Sequence, residues 1–261
     1  MTSSTTVATA NVLETLTSTE ATAALDGVLA ARPDLVGLQE WYPSRARLLL
    51  PSGSLGTVPD LGVRVPGSRL RGTSAGAAYR WNAPLVGGCV LGARADRYEL
   101  ISCRPWLLSL PGLADRRARG VSLEPGRVAT VALYRDLHLA RTVCLVGYHL
   151  VSGVQAGGRY RDDRPLLVAR HQREGGRLRT LVDRMLREGL IVHAVGDSNL
   201  DGFTLPGLTS AWTGHPPQPG QPAGTLGRRR VDDVLGPGPA SSVQLLESAS
   251  DHRALVVRRE D

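Results

Sequence analysis

Short apolar runs bounded by turn residues make up most of this chain, and this pattern constrains its fold more than any other feature. Runs of this kind are typical of β-strands when Gly, Pro, Asn or Asp residues bound them. Because each strand needs a partner on its apolar face, we expect two sheets packed against each other. The sequence predicts strands at 7–13, 34–40, 89–92, 97–102, 127–134, 142–150, 190–195, 231–235 and 254–257.

Two segments carry the helical spacing of apolar residues, and they lie far apart in the sequence. Thr19 opens the first, whose apolar positions end before Pro33. The second places Leu178, Val182 and Met185 on one face and ends at Gly189, a residue that is favoured just after a helix. We expect the two helices to cover the outer faces of the sheets.

The chain of 261 residues is expected to form a single domain, at residues 1–261. Its hydrophobic content of 42% is sufficient for a large buried core, and no long linker divides it. Residues 51–76 and 214–230 are rich in Gly and Pro and are predicted to be surface loops.

The charge of the chain is strongly basic, and every basic residue is an arginine. The 31 basic residues exceed the 24 acidic ones and give a formal net charge of +7. Such a balance favours an anionic partner, such as nucleic acid or another phosphate-containing substrate. GC-rich coding would produce the same arginine bias without any selection for binding, so both interpretations stay open. Arginine is in any case well suited to bind phosphate through two hydrogen bonds.

The cysteines and the N-terminal segment indicate the cellular compartment in which we expect this protein. Cys89, Cys103 and Cys144 lack the paired spacing of a metal site and are expected to be thiols in a reducing compartment. Residues 1–7 have neither a basic start nor a continuous apolar stretch, and no window is long enough to span a membrane. We therefore expect a cytoplasmic protein without a transmembrane segment, acting as a monomer.

Polar residues lie in or directly beyond several apolar runs, and they are residue types that phosphate chemistry uses. Asp197 and Asn199 follow the run 190–195, and their side chains leave the same face if the strand geometry persists. A carboxylate paired with an amide or with an imidazole suits metal-assisted attack of water on a phosphate ester. In chain order the set is Asn11, Glu40, His149, Asp197 with Asn199, Asp232, and Asp251 with His252.

Each of these sites has a simpler interpretation when it is taken alone. The sequence Gly-Asp-Ser-Asn at 196–199 is good turn chemistry, and Ser-Asp-His at 250–252 fits an ordinary loop. His149 within an apolar run fits a hydrogen-bonded core histidine. Glu40 fits a strand end in solvent, and Asn11 fits an amide that holds a turn. When these residues are taken together and in their order along the chain, they favour a catalytic site over the simpler interpretations.

The ordered set resembles the endonuclease/exonuclease/phosphatase superfamily, which has the deoxyribonuclease I-like fold. The resemblance extends over residues 10–252 and implies an α+β fold, a four-layer α/β/β/α sandwich of two mixed β-sheets flanked by helices. Ser198 departs from the bulkier residue that is common inside the Gly-Asp-x-Asn motif. The motifs are Asn in the first strand, Gln-Glu after the first helix, a strand ending in His, Gly-Asp-x-Asn, Arg-Val-Asp and a terminal Ser-Asp-His.

The resemblance implies a site for a divalent metal, Mg²⁺ or Mn²⁺. Glu40 matches the metal-binding glutamate of the family, and Asn11 and Asp251 match positions that complete or support the metal shell. Mg²⁺ is commonly held by one or two carboxylates together with water and substrate phosphate, so a site with few acids is chemically adequate.

The resemblance also implies roles in catalysis. Asp197 matches the residue that positions or deprotonates the attacking water, and Asn199 contacts the phosphate. His252 matches a histidine paired with a carboxylate, for which we choose Asp232, because its neighbour Asp233 would face the other side of the strand.

Two further residues are expected to contact the substrate. His149 matches a second donor to the phosphate oxygens, and Arg127 matches a phosphate-contacting arginine. The segment 86–89 lacks the tyrosine or acid that often stands there in nuclease relatives, so His149 is expected to lack a carboxylate partner.

These implications lead to an expected function with two alternatives. The leading hypothesis is a divalent-metal-dependent phosphoesterase that hydrolyses phosphodiester bonds, most plausibly as a nuclease on DNA or RNA, with arginines at 69–71, 159–164 and 228–230 around the site. Ordinary solvated arginines explain those positions equally well. The second hypothesis is a phosphatase or phosphodiesterase of small-molecule or lipid phosphates, of the inositol-phosphate or sphingomyelinase type, although no lipid-binding hydrophobic loop is apparent. The third is a catalytically silent binding module of the same fold, which the retained polar set argues against.

Overall fold

A computed structural model of the chain describes residues 4–41, 45, 69–71, 78–82, 89–116, 120–216 and 222–260. These residues form two large sheets, two small hairpins and two helices. Most of the predicted loop at 51–76, part of the loop at 214–230 and the segment 86–88 lie outside the described residues. Within the first of these loops, Arg69–Arg71 is a short strand.

The first sheet, sheet A, has seven strands and is mixed. The strands Ser4–Asn11 and Leu35–Gln39 are parallel neighbours, and all other neighbours are antiparallel. In spatial order the strands are β16 (Ala240–Leu246), β17 (Ala254–Glu260), β1 (Ser4–Asn11), β2 (Leu35–Gln39), β5 (Val90–Arg94), β4 (Ala78–Asn82) and β3 (Arg69–Arg71).

The second sheet, sheet B, has six strands and is also mixed, because the strands Arg141–His149 and Ile191–Asp197 are parallel neighbours. In spatial order its strands are β14 (Thr209–Ser210), β15 (Asp232–Gly236), β13 (Ile191–Asp197), β10 (Arg141–His149), β9 (Arg127–Asp136) and β6 (Tyr98–Ser109). The two small hairpins are β7 (Gly112–Ala114) with β8 (Ser122–Glu124), and β11 (Gln155–Ala156) with β12 (Arg159–Tyr160).

One helix covers the outer face of each sheet. The first helix, α1 (Ser18–Ala30), begins with a capping box in which Thr17 and Glu20 exchange backbone and side-chain hydrogen bonds. Its buried face packs on sheet A, and the second helix, α2 (Pro165–Arg187), packs on sheet B. A third apolar cluster, which includes Leu35, Leu145 and Leu255, fills the space between the sheets. The predicted four-layer α/β/β/α sandwich is confirmed.

The topology brings several strand ends to the same edge of the sandwich. The carboxyl ends of the parallel strands β1 and β2 lie together, as do those of β10 and β13. The antiparallel strands β9, β15 and β17 begin at this edge. The polar residues that end or precede these strands are therefore close in space although they are far apart in the sequence.

Several element boundaries differ from the sequence prediction, and two of these differences bear on the site. Strand β1 ends at Asn11 and not at Leu13, and the carbonyls of Val12 and Leu13 accept hydrogen bonds from the Arg45 guanidinium. Helix α2 begins at Pro165, well before the apolar pattern that starts at Leu178, because the face of its first turns that packs inward is polar. No helix among the described residues is both long and apolar enough to cross a membrane.

Candidate active site

A cavity of about 480 Å³ opens at the edge where the strand ends meet. It is lined by eight of the nine residues that the sequence singles out, and the ninth, Asp232, is buried behind His252. The lining residues are Asn11, Glu14, Glu40, Arg116, Glu124, Arg127, His149, Ser152, Gly153, Asp197, Asn199, Leu226, Arg229, Asp251 and His252.

Three of these nine residues lie side by side across sheet B. His149 at the end of β10 is the register partner of Asp197 at the end of β13, and Asp197 is in turn the partner of Asp232 at the start of β15. Residues that pair in register on adjacent strands project from the same face of a sheet. The strand pairing therefore brings an imidazole and two carboxylates to one place.

Gly196 permits this arrangement, because β13 passes very close to β10 at this point. A Cβ atom at position 196 would lie 1.9 Å from the carbonyl oxygen of Tyr148, well inside van der Waals contact. Glycine also accepts the backbone φ of 156° found here. Any side chain at this position would push apart the strand ends that carry His149 and Asp197.

Sheet A contributes Asn11 and Glu40 from the facing side. Glu40 directly follows β2 and has a backbone φ of 57°, a strained conformation for a residue other than glycine. The Asn11 side-chain amide donates to Glu40 Oε1 at 3.2 Å and to Asp197 Oδ2 at 3.1 Å. Asn11 thus connects a carboxylate of sheet A to a carboxylate of sheet B.

Asn199 reaches the cavity by a route that the sequence prediction does not contain. Strand β13 ends at Asp197, and Asn199 has a φ of 55°, so the strand geometry does not persist and the expected reason for a shared face is wrong. The chain turns instead, with the Asn199 backbone N–H donating to Asp197 Oδ1 at 2.6 Å and the Asn199 amide donating to the Leu150 carbonyl at 3.0 Å. The turn still leaves Asn199 in the cavity lining.

The environment of Asp197 increases its affinity for a proton. Burial raises the pKa of Asp197 above its ordinary value, and the negative charge of Asp232 adds to this effect. The positive charge of His252 and the hydrogen bonds from Asn199 and Asn11 act in the opposite direction. A carboxylate with a raised pKa is a better proton acceptor than an exposed one.

His252 is held as a cation by a buried carboxylate. Its Nδ1 lies 2.7 Å from Asp232 Oδ2. Burial lowers the pKa of His252, but the hydrogen bond to Asp232 and the charges of Asp232, Asp197 and Asp251 outweigh burial and raise it to about 9. Asp232 also fixes the orientation of the ring, so Nε2 is available on the cavity side.

His149 has the opposite environment on the other side of the cavity. Its Nδ1 lies 3.4 Å from the Arg127 guanidinium, which only donates, so Nε2 carries the proton of the neutral ring. Its Nε2 lies 3.7 Å from Asp197 Oδ2 and 3.9 Å from Glu40 Oε1, beyond hydrogen-bonding distance. Burial and the nearby charges of Arg127 and His252 hold the pKa of His149 well below its ordinary range.

The cavity contains oxygen donors of the kind that Mg²⁺ and Mn²⁺ prefer. Asn11 Oδ1 is buried and accepts no hydrogen bond from the described residues, and it lies on the side chain that donates to Glu40. Asp251 lines the same cavity and is exposed. An orphaned amide oxygen next to two carboxylates fits a hard divalent cation.

A second group in the cavity also has the composition of a metal site. Asp197, Asp232 and His252 bring one potential ligand atom each to within 4.8 Å of one another. The short contact between His252 Nδ1 and Asp232 already satisfies that nitrogen with a carboxylate. We therefore interpret His252 and Asp232 as a hydrogen-bonded ion pair beside Asp197, and Asn11, Glu40 and Asp251 stay the predicted oxygen donors for a cation.

Several cavity residues were missed at the level of sequence. The Glu14 backbone N–H donates to Glu40 Oε2 at 2.9 Å. Arg45 holds the loop of Glu14 by donating to the backbone carbonyls of residues 12, 13, 14 and 16. Arg116 forms an ion pair with Glu124 at 2.6 Å on the cavity wall. With 31 basic residues in the chain, no sequence signal distinguishes Arg45 or Arg116 from the others.

The arginines that were candidates for the rim of the site have different surroundings. Arg229 lines the cavity, whereas Arg228 and Arg230 line a neighbouring cavity of about 450 Å³, where Arg230 stacks on Trp212 at 4.7 Å. Arg161 pairs with Asp163 at 2.6 Å. Among the described residues of this candidate set, Arg229 lines the cavity.

Solved structures share this fold although their sequences are distant. The chain is similar to D. rerio TDP2 complexed with single strand DNA product, with 15% identity, 98% of each chain covered and a TM-score of 0.60. It is also similar to an endonuclease/exonuclease/phosphatase family protein from Bacteroides thetaiotaomicron, with 14% identity, 99% of this chain and 98% of that chain covered, and a TM-score of 0.59. The chain therefore has the fold of the endonuclease/exonuclease/phosphatase superfamily, as the sequence motifs predicted.

A third similar structure is a phosphatase by its description. This is the mannosyl-6-phosphatase of Bacteroides thetaiotaomicron, with 12% identity, 97% of this chain and 98% of that chain covered, and a TM-score of 0.58. No protein-family model matches the sequence. A sequence comparison with curated proteins also gives no match.

Proposed function

We propose that this chain is a divalent-metal-dependent phosphoesterase that hydrolyses phosphodiester bonds in DNA or RNA. The observation that carries the proposal is the meeting of three chemical functions in one cavity. A buried carboxylate with a raised pKa, Asp197, lies beside an oxygen-donor set and opposite a histidine cation. Hydrolysis of a phosphate ester needs a proton acceptor for water and positive charge for the phosphate oxygens.

Glu40, Asn11 and Asp251 would hold Mg²⁺ or Mn²⁺, which when bound supplies positive charge to the phosphate and activates oxygen ligands. The Asn11 amide keeps Glu40 and Asp197 in fixed positions, because it donates to both carboxylates. Asp251 lies next to His252 in the sequence, so the cation side and the histidine side of the cavity are directly connected.

Asp197 accepts the proton of the attacking water in this mechanism. Its Oδ1 is engaged by the Asn199 backbone and its Oδ2 by the Asn11 amide, so the carboxylate has one orientation. Burial makes its charged form less stable than in water, which increases its affinity for a proton. The neighbouring Asn199 side chain lines the cavity and contributes a polar contact to the phosphate.

Three positively charged or donating groups act on the phosphate oxygens. His252 donates from Nε2 as a cation and stabilises the negative charge that develops in the transition state. His149 donates from the same ring position as a neutral ring, with Arg127 next to it. Arg127 is oriented by this contact and presents its remaining N–H groups to the phosphate.

Two observations support nucleic acid as the substrate. Arg116, Arg127 and Arg229 line the cavity, and the whole chain has a formal charge of +7, so an extended polyanion is attracted. A structure of the same fold, D. rerio TDP2, is complexed with single strand DNA product.

A second candidate function is hydrolysis of small phosphate esters. No Phe, Tyr or Trp is among the described residues that line the cavity, so the described part of the site lacks the large aromatic side chains on which bases stack. One of the proteins with the same fold is a mannosyl-6-phosphatase. A phosphatase would use the same Asp197, His252 and oxygen-donor set.

The test compares wild type with Asp197→Asn on single-stranded DNA, RNA, plasmid DNA, inositol phosphates and mannose 6-phosphate. Each substrate is incubated with Mg²⁺, with Mn²⁺ and with a chelator. We expect metal-dependent cleavage of nucleic acid by wild type and its loss in Asp197→Asn. Cleavage confined to the small phosphates supports the second function. Equal activity of the variant contradicts the site, and absence of hydrolysis under all conditions supports a binding module.

A further inference from the structure

The buried face of helix α2 changes from polar to apolar along its length. Its second half buries residues such as Leu178, Val182 and Met185 under sheet B. Its first half instead buries His171 at 1% exposure and Glu174 at 0%. Buried polar groups destabilise a fold unless they are hydrogen-bonded, so a polar face in this position calls for specific partners.

His171 has such partners on both ring nitrogens. Its Nε2 lies 2.6 Å from the backbone carbonyl oxygen of Ser198, and its Nδ1 lies 3.0 Å from the Tyr160 hydroxyl. A carbonyl only accepts, so Nε2 carries the proton and donates to Ser198, while Nδ1 accepts from Tyr160. Ser198 lies between Asp197 and Asn199, so His171 contacts the turn that carries both residues.

Glu174 holds the neighbouring turn, one helical turn further along the same face. Its Oε2 accepts from the Val151 backbone N–H at 2.9 Å, just beyond His149. Its Oε1 accepts from the Ser109 hydroxyl at 2.6 Å and from Arg170 at 2.9 Å, so the carboxylate is fully engaged. Residues at positions i and i+3 project from the same side of a helix.

The two turns are also joined directly to each other. The Leu150 backbone N–H donates to the Asp197 carbonyl at 3.0 Å, and the Leu150 carbonyl accepts from the Asn199 amide at 3.0 Å. His171 and Glu174 therefore hold the two turns from the side of helix α2, and the Leu150 hydrogen bonds connect the two turns to each other.

We infer that His171, oriented by Tyr160, is a positioning residue that sets the geometry of the Asp197 and Asn199 turn from helix α2. Asn199 has a left-handed backbone, which asparagine adopts more readily than most residues, and the hydrogen bond from His171 holds the residue directly before it. The role extends the proposed function, on which its catalytic readout rests, and its structural readout is independent of catalysis.

The variants separate positioning from general stability. His171→Phe keeps a ring in the buried site and removes the hydrogen bond to Ser198, whereas His171→Gln retains an N–H donor. Tyr160→Phe removes the donor to Nδ1 at a partly exposed position. Val182→Ala is the matched control, because it weakens packing on the apolar half of the same helix and removes no hydrogen bond to either turn.

The structural readout is amide hydrogen exchange of the peptide 196–201, measured for all four variants. We expect faster exchange of this peptide in His171→Phe, near-wild-type exchange in His171→Gln, and an intermediate increase in Tyr160→Phe. Val182→Ala should leave this peptide unchanged relative to the rest of the chain. Equal exchange in His171→Phe and Val182→Ala overturns the inference, whether or not the protein hydrolyses any phosphoester.

The catalytic readout is hydrolysis of bis(p-nitrophenyl) phosphate with Mn²⁺. We expect kcat of His171→Phe to fall about a hundred-fold with little change in KM, because a small displacement of reacting groups is sufficient for such a loss. His171→Gln should recover most of it. Absence of hydrolysis by the wild type refutes the proposed function and leaves the positioning role to the exchange measurement. If the wild type is active, an unchanged kcat in His171→Phe refutes the positioning role.

Discussion

His252 and His149 lie on opposite sides of the same cavity, and their surroundings give them opposite charge states. A carboxylate lies 2.7 Å from His252 and raises its pKa to about 9 against the effect of burial. A guanidinium lies 3.4 Å from His149, whose pKa is held well below its ordinary range. His149 ends strand β10, His252 lies just before strand β17, and both line the same cavity.

This difference shows that the partner, and not the residue type, decides what each histidine contributes. The His252 side combines a cation with two carboxylates and suits stabilisation of negative charge on phosphate. The His149 side combines a neutral ring with a permanent arginine cation and suits hydrogen bonding to phosphate without a change of protonation. Asp197 stands between the two sides, within 3.7 Å of His149.

Asp197→Asn is expected to have the largest effect, because it removes the proton acceptor shared by the two sides. We expect kcat to fall by about a thousand-fold, in the range of a lost general base. Asparagine has one acceptor oxygen in place of two, so it retains one of the two contacts that Asp197 makes with the Asn199 backbone and the Asn11 amide. Steady-state kinetics with Mg²⁺ or Mn²⁺ measure the loss, and a variant within ten-fold of wild type would contradict the assignment of Asp197.

Asp232→Asn is expected to lower the pKa of His252, so that its charge state becomes more similar to that of His149. The raised pKa of His252 means that its cation is fully present below the ordinary histidine value and is lost as pH rises through about 9. Without Asp232 this loss occurs at lower pH, so the alkaline fall of activity should move toward neutral pH. We expect kcat at pH 8 to decrease by about a hundred-fold.

The control for this experiment is Asp233→Asn, at the adjacent residue on the other face of β15. Asp233 accepts from the Ser210 hydroxyl and the Ala211 backbone and makes no contact with His252 among the described residues. Its pH profile of activity should match that of wild type. A profile shifted equally in both variants would mean that His252 does not depend on Asp232.

Arg127→Met is expected to raise the pKa of His149 and so to reduce the difference in charge state between His149 and His252. The positive charge of Arg127 lowers the pKa of His149, so its removal raises that pKa toward the ordinary value. We expect KM for a phosphodiester to rise about ten-fold, as for loss of one charged hydrogen bond. The His149 ring resonance in a titration of metal-free protein measures the shift, and an unchanged titration would show that burial alone sets this pKa.

Asp233→Asn is expected to leave activity unchanged and to alter only the pH dependence of stability. Burial raises the pKa of Asp233 to about 6 in the folded protein. The folded state therefore binds this proton more tightly than the unfolded state, and its contribution to stability is lost as pH rises from about 4 to about 6. Chemical denaturation across this range should show a flatter dependence in the variant than in wild type.

The sequence predicts the framework of this molecule because apolar runs report burial directly. Strands such as Leu35–Gln39 and Arg141–His149 are buried nearly throughout and were visible as unbroken runs. Strand β16 was missed because its residues are mostly exposed or half-buried. The first turns of α2 were missed for a related reason, since Arg170, His171 and Glu174 are buried polar residues that no apolar pattern marks.

The candidate site was accessible to sequence reasoning only as a set of residues in order. Register pairing, which brings His149 beside Asp197, depends on which strands become neighbours and leaves no local signal. The positive φ angles of Glu40 and Asn199 depend on contacts made across the fold. The same holds for the Arg45 contacts with the loop after β1, which join segments about thirty residues apart.

Gly196 carries a consequence for how this sequence can vary over generations. Every substitution at that codon that changes the amino acid adds at least a Cβ atom, and this atom meets the Tyr148 carbonyl at 1.9 Å. Strands β10 and β13 would have to separate at the point where they present His149 and Asp197. A substitution at position 196 is therefore not neutral for as long as selection maintains the cavity. A residue other than glycine at this position in a descendant sequence would indicate that this selection has ended.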